Sequence, residues 1–378
     1  MDKAGALKKP RINAIEYMRG ISMLGVIGIH VGSQYIVNAA ANIHLVAVFE
    51  IFTRFSVPIF FFISAFGLFY NLDINKSLNY KNFMKKRART VIVPYVAWSL
   101  LYVVFYVWRY HAFSLLNPLQ LLSMLFFGTA CYQLYFMVIL IWFYLLMPLW
   151  KYMVKHSSCI NLTVLLVLQI AFDYYSSFVM NPYGIANPVL RDLLVYRLNY
   201  WVLHYIFIFV LGGYLAVHYD DFKIFMKHYR LSIAAFFFVS LLGLLAYYYY
   251  CLFIENYTVL EAINTAHQLS PAGVFYTIGA SIFLFSEFYN CKLPRLLEKA
   301  FSLLGRHSYF AYLCHPVFIA LLAAVMVKLN MVMTAYNSIA FYLGTVVLSV
   351  IAAAVCRYFS QKYWPILNEL TIGVYAKR

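Results

Sequence analysis

Three ionisable side chains, Glu16, Arg19 and His30, sit within "EYMRGISMLGVIGIH", inside the first long apolar stretch of the chain. An imidazole moves protons near neutral pH, and a guanidinium is a permanent cation. All three groups are costly near the centre of a bilayer, where an ionisable residue marks function or a charge partner. Ten residues separate Arg19 from His30. On an α-helix that interval is three turns plus roughly 20°, so both lie on one face, about 16 Å apart along the axis. Glu16, three residues before Arg19, can pair with it. It is about 21 Å from His30, too far to orient the ring. A carboxylate partner for His30 must come from another helix, and Asp173, in the outer part of the fifth apolar segment, lies at a suitable depth. A structural role is also open, with His30 a hydrogen bond between helices and Arg19 a basic anchor whose stem snorkels.

The elements that must position these groups are membrane helices. The 378 residues are 64% hydrophobic, 20% aromatic and 11% charged, with a mean hydropathy of +0.76. A soluble domain is about 45–50% apolar and about 25% charged. The formal charge of +16 fits basic loops held on the cytoplasmic side of a membrane. It does not point to nucleic acid, because no soluble basic domain is present to bind it. The six cysteines are scattered singly, with no C-x-x-C or zinc spacing, and the histidines show no chelating pair on a helix. No metal site is expected. The opening "KKPR" and the apolar run after it are too long, and too charged at Glu16 and Arg19, for a cleaved signal.

Runs of roughly 20 apolar residues cross about 30 Å of hydrocarbon. About ten are expected: 14–37, 46–70, 90–110, 131–151, 160–178, 201–219, 231–252, 272–289, 307–328 and 336–359. "PLQLLSMLFFG", from Pro118 to Gly128, is too short to span and reads as an interfacial or re-entrant helix started by Asn117-Pro118. With this count, Lys and Arg gather in the inner loops, and only Arg54, Arg109, Arg191, Arg197 and Lys328 fall outside or in outer halves of spans. Counting Pro118–Gly128 as a span would spoil that asymmetry. The expected fold is therefore all-α, one polytopic membrane domain over 1–378, with both termini cytoplasmic and no appended soluble domain. Tyr174-Tyr175 and Tyr247–Tyr250 suit the outer interface as an aromatic belt, in contact with membrane lipids.

Five motifs, in order, resemble those of the acyltransferase-3 family of membrane acyltransferases. The first is Arg19 and His30, introduced by an acidic residue and "RG". "VPIFFFISAFGLF" (Val57–Phe69) follows, with Ala65 where Gly is usual. "KKRARTVIVPY" (Lys85–Tyr95), "QLYFMVILIWFYLLMPLW" (Gln133–Trp150) and "LGRHSYFAYLCHP" (Leu304–Pro316) complete the set. The resemblance implies ten spans and transfer of an acyl group, often acetyl from acetyl-CoA, to carbohydrate or other cell-surface acceptors. It also suggests a bacterial cytoplasmic membrane. Glu16 stands where Asp is usual. Lys86 and Arg89 stand for the family's Arg-x-x-Arg, and Lys lacks the bidentate fork of Arg.

Such chemistry needs a base at the acceptor hydroxyl and a cation or donor for the oxyanion. His30 is the expected base. Arg19, Lys86, Arg87 and Arg89 are candidates for the phosphates of acyl-CoA, which is a donor substrate and not a bound cofactor. Glu16 would hold Arg19. His315, before Pro316, is either a direct participant or a polar link between helices. Arg54 would line the acceptor pocket or meet lipid headgroups, and Tyr135, His204 and Arg191 could face the outer site. A covalent route through Ser64 or Cys314 would need a base that the spacing does not place. The partners expected are acyl-CoA, a glycan or glycolipid acceptor and lipid. The competing readings are a polysaccharide exporter and an inactive membrane scaffold.

Overall fold

The computed structural model describes residues 9–38 and 41–374. Lys3, Lys8, Lys377 and Arg378, counted above among the inner charges, lie outside these residues. The described residues are helical with no β-strand among them. A bilayer demands this of an apolar chain, since lipid offers backbone N–H and C=O groups no partners.

In chain order the helices are α1 (Asn13–Tyr35), α2 (Ile43–Tyr70), α3 (Tyr80–Tyr110), α4 (Pro118–Phe127), α5 (Tyr135–Leu145) and α6 (Met147–Lys155). There follow α7 (Cys159–Val179), α8 (Pro188–Val195), α9 (Val202–Val217), α10 (Tyr219–His228) and α11 (Arg230–Phe253). The last are α12 (Val259–Thr265), α13 (Pro271–Asn290), α14 (Arg295–Lys328), α15 (Ala335–Lys362) and α16 (Pro365–Ile372).

By length and apolarity α2, α3, α7, α11, α13, α14 and α15 qualify as membrane spans, which is 7, or 9 if the bent pairs α5–α6 and α9–α10 are each one span. α1 is 23 residues long yet falls outside that set, because Glu16, Arg19 and His30 dilute its apolarity. The ten expected segments each coincide with one of these helices or bent pairs, although composition alone supports only the smaller count. The apolar windows of α7 and α15 are just 22% buried within the protein, which leaves their remaining faces for lipid. α4 forms as expected: the Asn117 side chain accepts from the amides of Leu119 and Gln120, and Gly128, at φ 70°, ends it.

The bends have local causes. α5 and α6 meet at 67° beside Pro148, which has no N–H to continue the ladder. Beside the bend, the Trp150 indole donates to the Phe143 carbonyl, 2.9 Å away. α10 turns 97° from α9 and carries Asp220 and Asp221 in its first turn and Lys227 in its last, charges that suit the two ends of a helix dipole. α2 contains a π turn over Ala47–Ile51 and resumes as α-helix at Ser56. Such turns often accompany functional sites.

α1 lies at the centre, packed by α2, α13, α14 and α15. It comes very near α14 at Gly305, where an added Cβ would stand 2.0 Å from the Glu16 carbonyl oxygen. Only a residue without a side chain allows two helices this near. The contact sets the register between the helix that carries Arg19 and His30 and the helix that carries His315.

Candidate active site

Continuity of α1 carries Arg19 and His30 to opposite ends of one helix, and each end has its own surroundings. At the far end, the His30 ring centroid is 4.3 Å from that of Tyr132 and 5.2 Å from that of His315, the two imidazoles being stacked at 19°. His30 is half-buried, and its ring makes no hydrogen bond among the described residues. His315 is fully buried. Its Nδ1 is 2.7 Å from the Tyr312 carbonyl oxygen, while Nε2 has no partner among the described residues. A carbonyl accepts only, so Nδ1 carries the hydrogen and Nε2 keeps a lone pair. His315 is thus beside the expected base.

Asp173 is not the partner of His30. Its Oδ1 lies 2.7 Å from Nδ1 of His204, both side chains being fully enclosed. Gln169 donates to the other carboxylate oxygen at 3.0 Å, and Ser176 stands 3.4 Å from Nε2 of His204. Arg197 donates to Ser176 at 3.0 Å. These contacts join α7 to α9 and the segment before it, and they commit the Asp173 carboxylate to His204. Arg191 is half-buried beside Asp192, 3.9 Å away.

Arg54 is half-buried, paired with Glu50 at 3.1 Å and donating to the Ile263 carbonyl of α12 at 3.1 Å. The carboxylate supplies the charge partner that a cation within a span requires. Nε of Arg54 and Oε1 of Glu50 are buried without partners, so the pair retains unused hydrogen-bonding capacity. The Arg54 charge acts on His30, on Tyr135, which is half-buried at the head of α5, and on His267. His267 lies in the loop before α13, where burial first and the Arg54 charge second push its pKa down to about 3. Glu50 and His267 were not singled out in the sequence. Glu50 stood four residues before Arg54, the spacing of a helical ion pair.

At the near end, Arg19 borders two adjoining cavities of about 660 and 310 Å³. They share Arg19, Ser64, Arg87 and Tyr144. Glu16 does not hold Arg19. It pairs with Arg11 and accepts a hydrogen bond from Ser302 of α14 at 3.1 Å, because the close contact at Gly305 turns it toward α14. Arg19 has no ion-pair partner among the described residues and faces the cavities. Of the basic triplet at the start of α3, Arg87 lines both cavities, with its guanidinium 5.1 Å from the Phe83 ring and 5.0 Å from the Tyr144 ring. Lys86 and Arg89 are exposed and are not among the lining residues. They flank Arg87 in sequence, so the helix turns them away from the face it presents.

The smaller cavity reaches toward His315 as far as Phe60, Phe136 and Tyr312. These three rings touch one another, with centroids 5.7–6.4 Å apart, and Tyr312 is 6.3 Å from His315. An aromatic trio thus separates the Arg19 cavity from the two imidazoles. Ser64 faces the cavity with no histidine in hydrogen-bonding contact among the described residues, and Cys314 is buried against the carbonyls of Ala311 and Ser349. Among the described residues no three of His, Cys, Asp and Glu gather closely enough to hold a metal ion.

Fold and site together define a multi-pass helical membrane protein with a basic cavity at one end of a helix and paired imidazoles at the other. The family model described as an acyltransferase domain matches residues 12–358, and the chain belongs to the acyltransferase-3 family. It is a membrane acyltransferase, transferring groups other than aminoacyl groups. No curated protein and no solved structure matches the chain.

Proposed function

We infer that the chain moves an acyl group, acetyl first among candidates, from cytosolic acyl-coenzyme A to a hydroxyl of a cell-surface glycan or its lipid-linked precursor. The observation that carries this reading is the division of labour along α1. Arg19 borders a cavity that also holds Arg87 and can take a phosphate-bearing donor, and His30 stands three turns further on beside His315. In this reading the Glu16 end faces the cytosol of a bacterial cell, and the His30 end faces the acceptor.

The chemistry follows from the residues. Phosphates of the donor bind Arg19 and Arg87 by charge-assisted hydrogen bonds, and the thioester arm passes the aromatic trio toward His30. His30 takes the proton of the acceptor hydroxyl as its oxygen attacks the thioester carbonyl. The rings of Tyr132 and neutral His315 flank the imidazolium so formed and stabilise it through their π faces. Collapse of the tetrahedral intermediate breaks the C–S bond, and His30 returns the proton to the thiolate. The products are an ester and free coenzyme A.

Purified protein in liposomes, supplied with labelled acetyl-CoA and a panel of sugars, tests this. Label transfer lost in His30→Ala supports it. Failure of the wild type both to transfer the label and to bind the donor would overturn it and favour a polysaccharide exporter.

A further inference from the structure

A third cavity, of about 170 Å³, adjoins the Arg19 cavity and shares Arg306, Tyr309 and Ile372 with it. Its other walls include Arg357 of α15 and Asn368 of α16. Neither guanidinium has an ion-pair partner among the described residues. Asn368 is 8% exposed, and its side-chain oxygen has no hydrogen bond, nor does the buried hydroxyl of Tyr309. A buried polar atom without a partner is costly to keep, so these groups are set for something that enters.

The wall is fixed. α16 folds back onto α3, where the Trp98 indole donates to the Thr371 carbonyl at 3.1 Å. Gly373 then closes the helix at φ 65°, and an added Cβ there would stand 2.3 Å from the Thr90 backbone. Only glycine combines that dihedral with that approach.

The lining describes its ligand. A carboxamide pairs with the amine and ring nitrogen on one edge of adenine. Two guanidiniums suit a phosphate monoester. The opening into the Arg19 and Arg87 cavity supplies cations for a diphosphate further along the same molecule. We propose that this lobe binds the 3′-phosphoadenosine end of coenzyme A, with Asn368 on the adenine edge and Arg306 and Arg357 on the 3′-phosphate. The proposal rests on acyl-CoA being the donor. Arg19 and Arg87 then meet the diphosphate, and the pantetheine arm points along the cavity toward Tyr312.

Binding of coenzyme A, dephospho-coenzyme A and S-acetylpantetheine to the purified full-length chain separates the alternatives. The wild type is expected to prefer coenzyme A over its dephospho form about tenfold or more, as loss of a charged hydrogen-bonding partner implies. Arg357→Gln, and independently Arg306→Gln, should erase most of that preference while leaving dephospho-coenzyme A binding within about twofold. Asn368→Ala should weaken both nucleotides and leave S-acetylpantetheine unchanged. Thermal unfolding without ligand identifies any variant that fails to fold. If the wild type prefers coenzyme A and both arginine variants keep the preference, the lobe is not the nucleotide site and the donor reading stands. Equal binding of coenzyme A and its dephospho form by the wild type also overturns this assignment alone. Absence of any nucleotide binding by the wild type overturns both readings.

Discussion

The Nδ1 atom of His315 lies 2.7 Å from the carbonyl oxygen of Tyr312, the acceptor that Pro316 leaves without its helical N–H. Proline at one position removes the donor due to the carbonyl four residues earlier, and here the neighbouring imidazole supplies it. His-Pro is thus a unit: the proline frees the carbonyl, the carbonyl fixes the tautomer, and the tautomer leaves Nε2 a lone pair. Pro316→Ala would return a backbone N–H to Tyr312 and compete with His315 for it. Turnover should fall at least several-fold while the thermal midpoint stays level or rises. His315→Ala should lower kcat by up to about thirtyfold, the scale of a desolvated cation–π contact of about 2 kcal/mol, with KM for the donor little changed. Steady-state kinetics on both variants decide this, and full turnover in both would reduce His315 to a packing residue.

The Asp173–His204 contact calls for the opposite outcome. Both side chains are fully enclosed, and removing one partner leaves the other buried and unsatisfied. Asp173→Ala should therefore cost about 1–3 kcal/mol of stability, read as a lowered thermal midpoint in detergent, with the pH profile of the remaining activity unmoved. His30→Ala should do the reverse, abolishing transfer at unchanged stability. Loss of transfer by a fully stable Asp173 variant would return this carboxylate to the site.

Of Lys86, Arg87 and Arg89 near the start of α3, only Arg87 lines the cavity. Arg87→Gln should raise KM for the acyl donor about tenfold, the effect of a lost charge-assisted contact. Lys86→Gln should stay within about twofold, since its side chain is exposed outside the lining. Donor titrations of the two variants check this, and equal effects would mean that net charge, and not placement, attracts the donor.

What was legible in the sequence follows the range of the forces involved. Bilayer thickness dictates run length, so each apolar segment could be placed and the short Pro118–Gly128 helix set apart. Helix geometry alone fixes the separation of Arg19 and His30. The bend at Pro148 had a residue to announce it, whereas the sharper turn at His218 arises where the pattern becomes amphipathic, a weaker signal. Partnerships across helices were not legible. Spacing on one helix points Glu16 to Arg19, yet Glu16 meets Arg11 and Ser302 of α14, and depth alone points Asp173 to His30, yet it meets His204. Depth is one coordinate of three, and rotation about each helix axis is set by packing, here at Gly305. The Glu50–Arg54 pair was local and could have been read from its spacing.

His267 provides a pH test outside the membrane-spanning segments. Its ring would take a proton near 6.5 in the unfolded chain, but in the fold only near 3, because burial and the Arg54 charge oppose it. Between those values the unfolded chain binds more protons, so stability falls as pH drops through about 6.5 toward 3. His267→Phe keeps a ring against Phe178, whose centroid is 5.5 Å away, and removes the titration. Its thermal midpoint should fall less steeply than that of the wild type from pH 6.5 to 4. Parallel slopes would show that other groups carry the acid sensitivity.

The aromatic trio yields the last prediction. Phe60, Phe136 and Tyr312 stand between the Arg19 cavity and His315, in contact with one another. For a thioester to reach His30 these rings must part, and while closed they keep water on the acceptor side from the donor. Phe136→Leu shortens one ring without introducing a polar group and, with a smaller change in volume than alanine, leaves less of a void. The passage should then open more readily, and acceptor-independent hydrolysis of acetyl-CoA should rise several-fold, while transfer to acceptor changes less. The same hydrolysis should vanish in the double variant Phe136→Leu, His30→Ala, because the leak uses the same base with water in place of the hydroxyl. Unchanged hydrolysis in Phe136→Leu would place the route of the thioester elsewhere in the helix bundle.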